Sequence, residues 1–152
     1  MATTTFHAER VHITPSPRKT LATFYVTTWA IVLARVLYSA IFILASFNHF
    51  KPETINMAMD QGVPFARLAV PASGIIALLG GLSILLNYKE KIGAILIMVF
   101  LVPVTLMMHN FWAVTDPGMQ PLQMALFMKN VSLLGAALLI YQYSPNPFSP
   151  KT

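Results

Sequence analysis

The chain has no cysteine. Disulfides, thiolate metal sites and thiol redox chemistry carried by the chain itself are therefore excluded. Charge is almost as scarce: Asp, Glu, Lys and Arg make up 10% of the 152 residues, against a usual share of about 25%. A soluble domain this poor in charge could not cover its surface. The hydrophobic fraction of 56% and the mean hydropathy of +0.64 make a bilayer the natural solvent. The formal charge is +5, but the ten basic residues are scattered, with only Arg18 and Lys19 adjacent. Nucleic acid is not an expected partner. No Walker loop, GxGxxG, GxSxG or zinc signature occurs. The histidines form no i,i+4 pair and no CxxCH motif, so no metal or haem is expected.

What the chain does have is long apolar runs. Four of them, at about 24–47, 68–88, 92–112 and 122–143, have the length of about 20 residues that crosses a hydrocarbon core. They are too long and uniform for barrel strands, and an open sheet cannot satisfy its backbone in lipid. The expected fold is an all-α membrane protein, a four-transmembrane-helix bundle over residues 23–143. A Thr- and Pro-bearing tail (1–22) precedes it and a Pro-rich tail (144–152) follows. The tails read as flexible, and no cleavable signal peptide is evident. Arg10, Arg18, Lys19, Lys89, Lys91 and Lys151 lie on one side of this topology and Lys51 and Arg67 on the other. The Lys/Arg bias therefore puts both termini in the cytoplasm. Ala77 with Gly81, and Gly74 and Gly80, give the second run small faces that allow close helix packing or a homo-oligomer. Pro103 is expected to kink the third.

The candidate site residues are the ionisable groups in or beside these runs. Arg35 falls near the middle of the first, about 18 Å of helical rise from either end. A mid-span Arg costs about 2.5–3.5 kcal/mol on insertion scales, so it should turn inward and find acceptors. His49 follows at nearly four helical turns and so shares its direction. His109 closes the third run, Asp116 follows in the loop, and Lys129 and Asn130 lie in the fourth. The expectation is a polar pocket in the outer half of the bundle, with Asp116 as the partner of Lys129. Snorkelling for Lys129 and plain turn chemistry for Asp116-Pro117-Gly118 are the structural alternatives.

Arg35 with "FNHF", the glycine-bearing "LLGGLSILL", "MMHNFW" followed by Asp116, and "FMKNVSLLGAALL" together resemble the DoxX family of four-helix membrane proteins, over roughly residues 28–143. The resemblance implies a multi-pass protein of the bacterial cytoplasmic (inner) membrane. It also implies links to sulfur and quinone redox chemistry, to oxidative-stress complexes, and to accessory or chaperone-like roles. On that likeness Arg35, His109, Lys129 and Asn130 match polar positions of the family pattern; the convergence of the polar groups leads to the expectation of a quinone or similar carbonyl ligand in the outer pocket. Arg35, His49, Asp116, Lys129 and Asn130 would bind it, and His109 would transfer a proton. Electrons would come from a partner redox subunit, since the chain carries no cofactor of its own. Many members have a Glu where Ala77 stands, which here removes the expected counter-ion of Arg35. A non-enzymatic scaffold or assembly factor, and more weakly a small-anion transporter, are the alternatives.

Overall fold

The computed structural model describes the backbone of residues 17–145 and the side chains of residues 28–145. His7 and His12, and most of both expected tails, lie outside these residues. Among the described residues five α-helices follow one another: α1 (Pro17–Asn48), α2 (Pro52–Asp60), α3 (Ala66–Leu85), α4 (Glu90–Met108) and α5 (Gln120–Tyr143). A 3₁₀ turn, Phe111–Ala113, follows α4. Four segments are long and apolar enough to cross a membrane: Thr28–Asn48, Ala66–Leu85, Glu90–Ala113 and Gln120–Tyr143. The chain forms two compact units, one ending at Leu33 and one beginning at Ala34. All packing described below lies within the second.

Two elements differ from the sequence expectation. Helix α1 begins at Pro17, so the last residues of the expected N-terminal tail are helical. The polar segment between the first two apolar runs contains α2, a short helix outside the four expected spans. Its signals were local: Pro52 in the first turn and Glu53 beside it, where a missing N–H costs nothing and a carboxylate faces the positive helix end. Its apolar residue Ala58 packs with Ala66 and Val70 of α3, with Ile55, Val63 and Met108 around them.

Small residues let the long helices meet closely. Gly74, Ala77 and Gly81 line one side of α3. A Cβ on Gly74 would lie 2.7 Å from the Cβ of His49, and one on Gly81 would lie 3.0 Å from Ile43. Ala77 itself is fully buried. Gly80 faces α4, where Gly93 answers it: a Cβ on either would come within about 3 Å of the other's carbonyl oxygen. These contacts make α1, α3 and α4 successive antiparallel neighbours. The core between the rods holds Phe42, Ile84, Ile97, Phe100, Leu101 and Ala137. Leu37, Leu44, Leu79, Val99, Leu106 and Leu139 face outward, as lipid requires. Pro103 lies inside α4, which continues past it to Met108; the carbonyl of Val99 thereby lacks its helical donor. The turn from α3 to α4 is tight, with Asn87 and Lys89 both left-handed and the Ser83 hydroxyl donating to the Tyr88 carbonyl at 2.6 Å.

Candidate ligand-binding site

Helix α1 ends at Asn48, and His49 is the next residue. Its Nδ1 lies 3.0 Å from the carbonyl oxygen of Ala45. A carbonyl only accepts, so Nδ1 carries a proton, and the tautomer that this contact selects has its lone pair on Nε2. The imidazole packs edge-on against Phe100, with ring centres 5.4 Å apart. Gly74 gives it room, as the 2.7 Å approach described above requires. On this ring stands a cavity of about 230 Å³. Thr54 and Ala58 of α2, Val70 and Ser73 of α3, and Pro103, Val104, Met107 and Met108 of α4 line it, with Val63, Pro64 and Ala69 completing the wall. The lining is mostly apolar and, among the described residues, includes no Lys, Arg, Asp or Glu. The Ser73 hydroxyl donates to the Val70 carbonyl at 2.7 Å, so its oxygen faces any ligand as an acceptor. A larger hollow of about 440 Å³, bordered by Met59, Val63, Phe65, Ala66, Arg67 and Leu68, is built from one local stretch of chain. The recess at His49 draws instead on α2, α3 and α4 together.

Arg35 is not part of this recess. Its Nη2 lies 2.6 Å from Oε1 of Glu90, and the Glu90 side chain is 10% exposed. The other carboxylate oxygen accepts the hydroxyl of Ser144 at 3.1 Å, just past the end of α5. One charge-assisted cluster thus ties α1, α4 and the close of α5 at the end of the bundle where α3 turns into α4. The expectation that Arg35 joins His49 in the outer half is corrected. The two share a helical direction but differ by about 20 Å in rise along α1, so they belong to opposite ends. The counter-ion expected at Ala77 is supplied by Glu90, and Ala77 is a core alanine.

The remaining candidates are not brought together either. His109 Nδ1 donates to Gln123 Oε1 at 2.9 Å, pinning the end of α4 to the start of α5. Asp116 Oδ1 accepts the Gly118 N–H at 2.8 Å, and its carbonyl receives the N–H groups of Met119 and Gln120. This is turn chemistry that starts α5. Among the described residues no ion pair joins Asp116 to Lys129, whose side chain is exposed on α5. The expected Asp116–Lys129 pair is therefore corrected: the carboxylate is occupied by its own turn. Asn130 is buried at 5% exposure and does not border the recess. Among the described residues no group of three or more His, Asp or Glu is placed to hold a metal ion.

Sequence reasoning missed Glu90, Gln123, Thr54 and Ser73. Glu90 carried one usable signal: an acid opening a span needs a partner as much as Arg35 does. Nothing local marked Thr54, which lies on the short helix α2, or Ser73, a lone hydroxyl inside an apolar run.

A family model described as DoxX matches residues 30–110, more than half of the chain. The match includes Arg35, His49, Glu90 and His109 and ends before Asp116, Lys129 and Asn130. No curated protein and no solved structure matches the chain.

Proposed function

The chain belongs to the DoxX family, and on that premise we propose that it is a small membrane subunit of a redox system. It holds a quinone-type ligand in the His49 recess, and a partner protein supplies the electrons. The observation that carries this reading is the recess itself: an apolar chamber of about 230 Å³ with one ring nitrogen left over for a ligand. Small-molecule sites commonly have this character, mostly apolar walls with a few placed polar groups. Arg35 and Lys129 have no part in this site, since neither side chain borders the recess. The Lys/Arg distribution and the family favour the bacterial cytoplasmic membrane with both termini inside. The recess then lies toward the outer surface.

The test is direct. The protein is purified in mild detergent, its lipophilic cargo is extracted, and quinones are quantified by mass spectrometry for wild type and His49→Phe. Co-purifying quinone that falls several-fold in the variant supports the reading; no quinone, or equal amounts in both, overturns it.

A scaffold that grips a partner's transmembrane segment is the second reading. It is favoured by Lys129, a cation exposed within a membrane-crossing helix with no ion pair of its own among the described residues. Such a group is costly facing lipid alone. Pull-down of a partner that is lost with Lys129→Leu would support it.

A further inference from the structure

The hydrogen-bonding inventory of the recess says more about the ligand than its shape does. His49 has committed Nδ1–H to Ala45, so the polar atom it offers is the acceptor Nε2, on the far edge of the ring. Ser73 has committed its proton to Val70, so it too offers only lone pairs. The hydroxyl of Thr54 can turn either way. Backbone N–H groups of the lining helices are largely taken up within those helices, and among the described residues no Lys or Arg borders the cavity.

We infer that the recess selects a neutral, hydroxyl-bearing lipophile, an apolar ring or chain whose O–H donates to Nε2 of His49, over the corresponding ketone, ether or anion. The inference rests on the proposed ligand site and deepens it: of a redox pair, the hydroxylated, reduced member is the one that fits. A carbonyl ligand can accept from Thr54 but leaves Nε2 of His49 unpaired. An anion meets no positive charge in an apolar chamber, where an unpaired charge is most costly. A phenol or quinol satisfies the ring nitrogen and can accept from Thr54 in return.

The test uses the full chain in lipid nanodiscs and two redox-inert probes, a 4-alkylphenol and its O-methyl ether. They share ring, tail and oxygen, and differ in the donated proton. The phenol is expected to bind about tenfold more tightly in wild type, the size of one well-made hydrogen bond. The preference should vanish in His49→Phe, which keeps an aromatic edge on Phe100. It should persist in part in His49→Gln, whose amide oxygen can still accept. Equal binding of phenol and ether to wild type overturns the inference without recourse to any variant, as does a preference that survives His49→Phe.

A benzoquinol and its benzoquinone, offered as competitors, separate this inference from the function on which it rests. Phenol displaced by neither leaves the inference standing and sinks the quinone reading. Quinone binding more tightly than quinol does the reverse. Failure of every probe to bind overturns both.

Discussion

Nη2 of Arg35 sits 2.6 Å from Oε1 of Glu90, joining the middle of α1 to the first residue of α4. Each charge answers the other, with the Glu90 carboxylate the more deeply buried of the two. Removing one partner strands the second, which for buried pairs costs about 3–5 kcal/mol. Arg35 is 26% exposed, so the loss should fall toward the lower end of that range. Arg35→Met and Glu90→Met are each expected to lower the thermal unfolding midpoint in detergent. The double variant R35M/E90M should lose less than the sum of the two. Additive losses would show that the two side chains do not act as a pair.

Glycines on α3 and α5 make opposite predictions. A Cβ on Gly74 would meet His49 at 2.7 Å and the Ser46 carbonyl at 3.1 Å, whereas one on Gly135 meets nothing within 4 Å. Gly74→Ala should destabilise by about 1–3 kcal/mol, the usual cost of overpacking, and should disturb ligand binding because it pushes on His49. Gly135→Ala should be neutral or stabilising by up to about 1 kcal/mol from helix propensity alone. Unfolding midpoints of the two variants check this, and equal effects would contradict the packing described for α3.

Much of this architecture could be read from the chain, and the limits of that reading have physical causes. Hydrophobic runs mark spans because lipid leaves a spanning backbone few choices; the four apolar stretches therefore agree with the four membrane-length helices to within a few residues. Depth was harder. Arg35 was placed by counting from the ends of an apolar run, but α1 starts at Pro17 and its partner lies in a different helix, where no local pattern points. His49 was legible as a polar residue at a helix end. That it faces a recess depended on α2 folding back over α3, which short-range cues in a polar connection only hinted at.

At Asp116 the expected effect is structural. Its carboxylate accepts the Gly118 N–H at 2.8 Å, so Asp116→Ala should cost about 1 kcal/mol, while Asp116→Asn, which keeps an acceptor oxygen, should cost less. Lys129→Met should leave the unfolding midpoint of the purified protein unchanged or slightly raised. A marked loss with Lys129→Met would mean that the lysine is tied into the bundle after all.

The most direct measurement of the central claim is photo-crosslinking with a diazirine-bearing alkylphenol in membranes, followed by peptide mapping. Label is expected on the segments that enclose the recess, 49–73 and 103–108, and should be competed away by excess unlabelled phenol and weakened in His49→Phe. Label confined to the surroundings of Arg35 and Glu90, or to the Lys129 face of α5, would contradict it.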